Sequence, residues 1–488
     1  MASQRFSRAM DKRPSLVTLG CLLVPIVFGA GEAAASSHVA TAGMELIAVA
    51  PDGRGFVERD SGRAFIPFGT NYYDPNTGWA PKMWSRFDAG KVRRHFDVMK
   101  ELGVNCARVF LAAATFQPDA ETIDEQALAK LDTLIAIARR SGIRLMLTGP
   151  DHWEGVPGYW KGDRFAGEQA LKALEHFWTV VADRYRGEPA IFAWDLLNEP
   201  HLPWFDENWR GRWNKRLEDR YESWDGLKSA WGEEISESDQ WGAVGVAEDK
   251  PGSARLRDYQ LFREHLADNW VRRQVDAIRG ADSTCLVTVG YIQWSYPLVR
   301  PGNPSRYAAF NPRRQAQLLD FVTIHFYPTF GSPFESKANW RKNLDYLQAA
   351  LAYCHTGKPV VLAEFGWYGG GAPQQHPFAG EVQQAEWIAA EIEASRRLAD
   401  GWLSWPFADT PESRDISLYA GLVKPDMSLK AWGRKFQACA SDLSQLKKPT
   451  PELPAFDLGN ALTAETDELA RMHQAYVEAI RERMDKLR

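Results

Sequence analysis

The feature that most restricts the fold of this chain is a repeated alternation of short apolar segments with segments of helical periodicity. Eight apolar segments have the length of buried strands, and an amphipathic helical segment follows each of them. No half of the chain duplicates the other, and no glycine-rich phosphate-binding fingerprint follows the first strand. The alternation therefore predicts a (β/α)8 TIM barrel rather than an open doubly wound sheet. The predicted strands are 65–70, 104–111, 143–148, 191–197, 285–290, 321–325, 359–364 and 401–405.

Three segments lie outside this alternation. Residues 44–63 contain turn signals, which predict hairpins that close the bottom of the barrel. Residues 201–254 form a Trp-rich, charged insertion after the fourth strand, and we expect its one or two helices to overhang the mouth. The last segment combines a Pro/Lys-rich linker with a charged helix whose apolar stripe could pack on the barrel, bind a partner or stay weakly docked. The expected organisation is a signal peptide at 1–35, the barrel at 44–443 and the linker with its helix at 444–488.

The N-terminus has the pattern of an export signal. A basic start is followed by an apolar stretch at 16–29 and by the small residues 33–35, which predict a cleavage site. The apolar stretch is short for a membrane span and is interrupted by Gly20 and Pro25, so we expect no stable membrane insertion. A lipid anchor on Cys21 is disfavoured because further apolar sequence follows it. These patterns predict a secreted or periplasmic protein.

The composition excludes several classes of function. A hydrophobic content of 45% with 25% charged residues is ordinary for a globular chain that buries a full core. The net charge of -5 gives no basic character, so nucleic acid is not an expected partner. The cysteines beyond Cys21 lack metal-ligand spacing, which predicts free buried thiols and leaves a bridge between Cys354 and Cys439 open. Neither a metal nor a cofactor is expected, and the sequence does not indicate an oligomeric state.

Tryptophan is the residue type whose abundance is unusual. The chain has 20 of them, and many fall in predicted loops, including Trp367. An indole ring offers a flat apolar face and one N–H donor, which suits the apolar face of a sugar ring. For any single tryptophan, packing under a long loop is the alternative interpretation.

Two of the predicted strands end on a carboxylate. The fourth strand runs into Asn198-Glu199-Pro200, where the proline cannot continue a ladder, and the seventh ends at Glu364. Because the C-terminal ends of barrel strands form one mouth, we expect Glu199 and Glu364 to face each other. Two facing carboxylates are what cleavage of a glycosidic bond requires, about 5–5.5 Å apart for retention and about 6.5–9.5 Å for inversion.

The two carboxylates need opposite protonation states at one pH. A neighbouring cation favours the ionised form, and Arg108 in the second strand is the candidate. The alternative for Arg108 is a buried ion pair inside the barrel with no part in the chemistry.

Three motifs together resemble those of family 5 glycoside hydrolases of clan A, the cellulase/mannanase superfamily. They are Asn198-Glu199-Pro200, His325-Phe326-Tyr327-Pro328 and Glu364-Phe365-Gly366. The resemblance covers about residues 65–438. It implies a retaining β-glycosidase in which Glu199 is the acid/base and Glu364 is the nucleophile.

The resemblance also implies roles for the surrounding side chains. Asn198 would hydrogen-bond the sugar 2-hydroxyl, Arg108 and Tyr327 would hold the nucleophile ionised, and His325 would poise the proton of the acid. The other expected substrate-binding residues are Asn71, His152, Trp367 and Trp405, with Trp405 as the floor of the sugar site.

The expected substrate is a β-linked polysaccharide or oligosaccharide. Residues 69–73 and the loop tryptophans look like the mannanase-like branch, whereas the insertion around Trp213 and Trp231 is more similar to a segment of family 42 β-galactosidases. We therefore expect mannan or glucan ahead of galactoside. An exo-acting β-galactosidase or β-mannosidase, a transglycosylase and a catalytically silent carbohydrate-binding barrel are the alternative functions.

Overall fold

The computed structural model describes residues 43–151, 157–160, 162–248, 251–298, 304–367, 379–413, 415–456 and 458–486. Within these ranges, eight parallel strands form one sheet in the order β8-β7-β6-β5-β4-β11-β10-β9, and three short antiparallel strands, β1–β3, form another. The strands are β1 (Ile47–Val49), β2 (Phe56–Glu58), β3 (Ala64–Phe65), β4 (Phe68–Tyr72), β5 (Cys106–Ala112), β6 (Arg144–Asp151), β7 (Ile191–Asn198), β8 (Leu286–Gly290), β9 (Val322–His325), β10 (Val360–Glu364) and β11 (Gly401–Ser404).

The larger sheet closes on itself between β8 and β9. The backbone N–H of Asp320 donates to the carbonyl of Val287 at 3.0 Å, and the N–H of His325 donates to the carbonyl of Tyr291 at 2.9 Å. Strands β5 and β7 are buried along their whole length because side chains fill the inside of the barrel and helices cover its outside. The predicted (β/α)8 barrel is confirmed.

The helices alternate with these strands as the sequence predicts. Helix α4 shows why they begin and end where they do: the Asp124 carboxylate accepts the N–H of Ala127 at 2.7 Å, and Gly142 ends the helix at φ 72. The helices are α1 (Ala80–Ser85), α2 (Ala89–Glu101), α3 (Ala113–Phe116), α4 (Glu125–Ser141), α5 (Glu168–Arg184), α6 (Arg210–Tyr221), α7 (Trp224–Trp231), α8 (Ala254–Ala281), α9 (Pro312–Gln315), α10 (Lys337–Cys354), α11 (Glu381–Ser395), α12 (Ala431–Ala440), α13 (Leu443–Leu446), α14 (Leu458–Ala461) and α15 (Thr466–Asp485).

The small sheet packs under the N-terminal end of the barrel. The ring of Phe56 meets Phe192 at 5.0 Å and Phe321 at 5.2 Å in edge-to-face contacts, next to the first residues of β7 and β9. The start predicted for the first barrel strand is wrong, since Phe65 pairs with Phe56 in the small sheet. Pro67, which has no N–H to donate, separates this pairing from the barrel strand that begins at Phe68.

The insertion after β7 packs against α8. The ring of Trp213 lies 5.2 Å from Tyr259 and 5.5 Å from Phe262, and the Trp231 indole donates to the Asp258 carboxylate at 2.9 Å. Trp213 and Trp231 therefore bury their apolar area against the side of a barrel helix.

The C-terminal helix packs on the barrel, which decides between the three alternatives for its apolar stripe. Tyr476 and Ile480 are buried, and the Arg481 guanidinium pairs with Asp345 of α10 at 2.8 Å. The stripe is therefore covered by the same chain.

The remaining sequence expectations concern cysteines and membranes. Cys106, Cys285, Cys354 and Cys439 are free thiols, so the open question of a Cys354–Cys439 bridge is answered in the negative. In the described ranges no helix combines the length and the apolar character that crossing a bilayer demands. The predicted signal peptide lies outside the described residues and stays a prediction.

Replacing Phe56, which packs under the N-terminal end of the barrel, should remove a large part of the stability of the fold. We expect Phe56→Ala to lower the free energy of unfolding by about 3–5 kcal/mol, because the neighbouring phenylalanine rings cannot fill the cavity it leaves. Urea denaturation followed by tryptophan fluorescence measures the change. Val382→Ala, at a side chain that is 63% exposed, is the control and should stay within about 0.5 kcal/mol of the wild type. Equal stability of the Phe56 variant and the wild type would contradict the packing of the small sheet against the N-terminal end of the barrel.

Candidate active site

Glu199 lies one residue beyond the end of β7, at the C-terminal mouth of the barrel. Its backbone has φ 50, in the left-handed region that residues other than glycine rarely adopt, and its N–H donates to the carbonyl of Gly290 at 2.8 Å. A residue held in this conformation by a neighbouring strand is a frequent sign of a functional position. The Glu199 side chain retains 14% exposure toward the mouth.

Glu364 ends β10 on the opposite side of the mouth. One of its carboxylate oxygens accepts the Arg108 guanidinium at 2.6 Å, and the other accepts the Tyr327 hydroxyl at 2.8 Å. A carboxylate oxygen of Glu199 lies within 4.8 Å of one of Glu364. The two carboxylates that the sequence predicts to meet are therefore brought together.

The environment of Glu199 favours its protonated form. Burial raises the pKa of Glu199 to about 7, and the positive charge of Arg108 counteracts this only in part. Among the described residues no guanidinium donates to its carboxylate, whose contact is the Nδ1 atom of His325, at 3.0 Å. At pH values below 7, Glu199 is thus able to supply a proton.

The environment of Glu364 favours the ionised form more strongly. Burial raises the pKa of Glu364, and the negative charge of Glu199 adds to this, whereas His325, Arg108 and the Tyr327 hydroxyl lower it. Only Glu364 of the two glutamates accepts both a guanidinium and a hydroxyl donor, and such bonds stabilise the anion. When one proton is shared between the pair, it therefore resides on Glu199.

His325 lies between the two carboxylates as a neutral ring. Burial lowers the pKa of His325 to about 4, and its Nδ1 is 3.0 Å from Glu199 and 3.3 Å from Glu364. Its Nε2 has no hydrogen-bond partner among the described residues. An unpaired N–H would cost more than an unpaired acceptor at that buried position, so the ring proton belongs on Nδ1, facing the carboxylates.

Arg108 is held by a buried polar network at the bottom of the site. Its guanidinium donates to the Asp195 carboxylate at 2.9 and 2.7 Å and to the Asn198 side-chain oxygen at 2.9 Å. The same oxygen of Asp195 accepts the Thr148 hydroxyl at 2.7 Å. The sequence analysis missed Asp195 and Thr148 as members of this network, although a carboxylate inside an apolar strand was a usable signal.

The assignment of Asn71 to substrate binding is wrong. Asn71 is fully buried, its amide nitrogen donates to the carbonyl of Ala363 at 2.8 Å, and its oxygen accepts Arg108 at 3.1 Å. Both ends of the amide are occupied by the protein, so Asn71 orients Arg108 and does not contact substrate.

A cavity of about 830 Å³ opens above the two glutamates. It extends from Glu199 toward β10, β11 and β4. The predicted site residues that line it include Tyr327, Trp367 and Trp405. The Trp405 indole donates to the Ser417 hydroxyl at 3.1 Å, which fixes the plane of its ring. The sequence analysis did not assign several lining residues, most of which lie on loops without periodic pattern: Tyr73, Gly78, Trp79, Lys82 of α1, Thr410, Glu412, Ser413, Asp415, Ile416 and Ser417.

Two other expectations about the mouth have different outcomes. The predicted overhang of the insertion is wrong for its described part, since no residue of 201–248 lines this cavity. His152 lies outside the described residues, so its place in the site stays a prediction.

Glu199, His325 and Glu364 also have the spacing of a metal site, the one such group in the described ranges. However, both oxygens of Glu364 are occupied by Arg108 and Tyr327. A guanidinium at 2.6 Å opposes a second cation on the same carboxylate. The arrangement suits proton transfer and attack by a carboxylate better than metal binding.

Comparison with known proteins gives related enzymes and folds. The chain is 24% identical over 294 residues to mannan endo-1,4-beta-mannosidase A of Podospora anserina, a match that covers 58% of this chain and 60% of that protein. A GH5_18 protein of Streptomyces cattleya, solved in complex with Manb1-4GlcNAc, superposes with a TM-score of 0.60 at 18% identity, covering 85% of this chain and 91% of that one. An exo-beta-1,4-mannosidase of Opitutaceae bacterium strain TAV5 has a TM-score of 0.57 at 19% identity, covering 83% and 64%. These two structures support the fold.

A family model carries the assignment further than these pairwise matches. The model for cellulase (glycosyl hydrolase family 5) matches residues 67–410, which is more than half of the chain. The matched range contains Arg108, Asn198, Glu199 and Glu364. The chain therefore belongs to glycoside hydrolase family 5.

Proposed function

We propose that the protein is a retaining β-glycoside hydrolase that cleaves β-1,4-linked, mannose-containing glycans. The observation that carries the mechanism is the approach of the Glu199 and Glu364 carboxylates to within 4.8 Å. Retaining enzymes hold their two carboxyl groups about 5–5.5 Å apart, and inverting enzymes need about 6.5–9.5 Å for an intervening water. A closest approach of this kind favours the retaining arrangement over the inverting one.

In the first step, the ionised Glu364 attacks the anomeric carbon while Glu199 gives its proton to the leaving oxygen. The bond from the anomeric carbon to that oxygen breaks, and a covalent ester between the sugar and Glu364 forms. Tyr327 and Arg108 donate to the two oxygens of Glu364 and so fix the direction of attack.

In the second step, Glu199 is a carboxylate and acts as the base. It takes a proton from a water molecule, whose oxygen attacks the anomeric carbon and displaces Glu364. The product keeps the configuration of the substrate, and both glutamates return to their starting states. The pKa of Glu199, raised to about 7 by burial, suits a group that gives and then takes a proton near neutral pH.

Two further side chains fit substrate contacts. The side-chain oxygen of Asn198 is occupied by Arg108, so its amide nitrogen is the end available to the sugar 2-hydroxyl. Trp405 lines the cavity beside Glu364, where its indole face would support the ring that carries the anomeric carbon.

The proposal of a mannose-containing substrate is supported by the relatives. The Podospora protein that matches the chain is named as a mannan endo-1,4-beta-mannosidase, and the Streptomyces structure contains Manb1-4GlcNAc. The export pattern at 1–35 supports action outside the cytoplasm, where polymeric glycans are met.

Removal of the nucleophile should stop turnover. We expect Glu364→Ala to lower kcat at least about 1,000-fold, because no group remains to form the covalent intermediate. With an aryl β-mannoside, added azide should restore product as a glycosyl azide of inverted configuration, identified by NMR. Glu412→Ala, at an exposed residue of the cavity rim, is the matched control and should retain chemistry. Full activity of the Glu364 variant would contradict the mechanism.

The pH dependence should report the proton on Glu199. Since the proton is required and burial raises the pKa of this carboxyl to about 7, kcat/KM should fall as the pH rises through about 7. Glu199→Gln should lose that basic limb and lose activity on unactivated glycans by about 100- to 10,000-fold. With a dinitrophenyl glycoside, the variant should keep the rate of the first step, because that leaving group needs no proton. An unchanged basic limb in the Gln variant would assign the proton to another group.

A substrate panel tests the sugar specificity directly. The protein from residue 36 onward should release retained-configuration products from soluble mannan or manno-oligosaccharides, and should act weakly on β-glucan, xylan and aryl β-galactosides. Chromatography of the products separates internal cleavage, which gives a ladder of oligosaccharides, from release of single sugars. Preferential cleavage of galactosides or glucan would overturn the mannose assignment and leave the mechanism standing.

A further inference from the structure

The C-terminal helix α15 lies outside the residues that the family model matches, yet it packs against the loop that carries Tyr327. Its residues follow position 465, whereas the matched range ends at 410. The helix contacts α10 and the loop between β9 and α10. This loop begins with Phe326 and Tyr327, and Tyr327 donates to the proposed nucleophile.

The inner side of that loop is fixed by the buried amide of Gln293. The Gln293 side-chain oxygen accepts the N–H of Tyr327 at 2.7 Å, and its nitrogen donates to the Thr329 hydroxyl at 2.8 Å. Gln293 follows β8 and is almost fully buried. The backbone of Tyr327 is therefore tied to a neighbouring strand end.

The next turn of the loop is fixed by α10. The fully buried Asn343 accepts the N–H groups of Thr329 at 2.8 Å and Phe330 at 3.0 Å through one oxygen. Its nitrogen donates to the carbonyl of Gly331 at 3.0 Å. Two buried amides thus hold four of the five loop positions 327–331.

The outer side of the loop is covered by His473 of α15. Its ring stacks on Phe330 with centroids 5.9 Å apart and planes at 19°, and its Nδ1 lies 3.1 Å from the hydroxyl of Tyr296. The N–H of Tyr296 in turn donates to the backbone carbonyl of Gln293 at 3.1 Å. His473 therefore touches both the loop and the segment that carries its inner support.

We propose that His473 is a positioning residue: through Phe330 and Tyr296 it holds the loop so that the Tyr327 hydroxyl stays on Glu364. The inference rests on the proposed function, and it makes the C-terminal helix a working part of the catalytic domain. Without this cover, Phe330 loses a stacking partner and the loop gains freedom at the residues next to Tyr327.

For the reaction, loss of the His473 contacts should weaken the hydrogen bond from Tyr327 to the nucleophile Glu364. Glu364 is faced by Arg108 from β5, by His325 and Tyr327 from β9 and its loop, and by Glu199 beyond β7. Among these groups, Tyr327 is the one whose place depends on the loop. If its hydroxyl moves away, the Glu364 anion loses a donor, and protonation of Glu364 takes place at higher pH.

The test is steady-state kinetics of His473→Ala as a function of pH in the full chain. We expect kcat on a manno-oligosaccharide to fall about 10-fold with little change in KM, because loss of a hydrogen bond to a charged group is felt in the chemical step. The acidic limb of kcat/KM should move to higher pH. His473→Phe, which keeps a ring on Phe330 but loses the hydrogen bond to Tyr296, should restore a large part of both quantities.

Two comparisons separate positioning from a loss of stability. Ile480→Ala removes a buried side chain seven residues further along the same helix, and it should lower the melting temperature while the acidic limb stays in place. In a Tyr327→Phe background, His473→Ala should cause no further shift of the limb, since the hydroxyl it positions is gone. His473→Gln, which keeps a partner for Tyr296 but no ring, provides the same test if the alanine variant does not fold.

The outcomes are distinct from those that test the proposed function. An active wild type whose acidic limb is unchanged by His473→Ala, or shifted equally in the Tyr327→Phe background, would overturn the positioning role. An inactive wild type would instead overturn the proposed function.

Discussion

The buried guanidinium of Arg108 is the group on which the site depends. It is fully enclosed between Asp195 and Glu364, and two asparagine side chains accept its remaining bonds. A buried charge of this kind is tolerated only when its partners are close and well oriented, and loss of one partner leaves an uncompensated charge. The barrel meets this demand by placing the partners on three strands, β4, β7 and β10, so the same interactions that compensate Arg108 also fix Glu364.

The asymmetry of the two glutamates follows from this placement. Arg108 donates directly to Glu364 and acts on Glu199 only through space, while burial raises the pKa of both. His325, neutral because burial lowers its pKa to about 4, adds a hydrogen-bonding group between them and no fixed charge. One carboxylate is therefore kept as an anion and the other as an acid, which a double displacement requires.

The sequence was informative where a residue sits at a fixed point of a periodic element. Glu199 and Glu364 could be placed because Glu364 ends a strand and Glu199 directly follows one, and the C-terminal strand ends of a parallel barrel share one mouth. Asn71 also lies next to the end of a strand, but its side chain turns inward to Arg108, and strand position alone does not reveal that direction. Asp195 was missed because it was treated as part of an apolar run, although it faces inward beside Arg108. The loops that line the cavity have no period, and the insertion packs against α8 through contacts far apart in sequence. Such long-range contacts are not encoded in any local pattern.

The most direct test of this account is to trap the covalent intermediate. A 2-deoxy-2-fluoro-β-mannosyl fluoride should form the ester quickly and release it slowly, because fluorine at C2 destabilises both transition states while fluoride is a good leaving group. Mass spectrometry of peptides from the inactivated protein should locate one sugar on Glu364, and Arg108→Met should suppress its formation. A label on Glu199 would contradict the assignment of roles, and the absence of any covalent adduct despite turnover would contradict the double displacement.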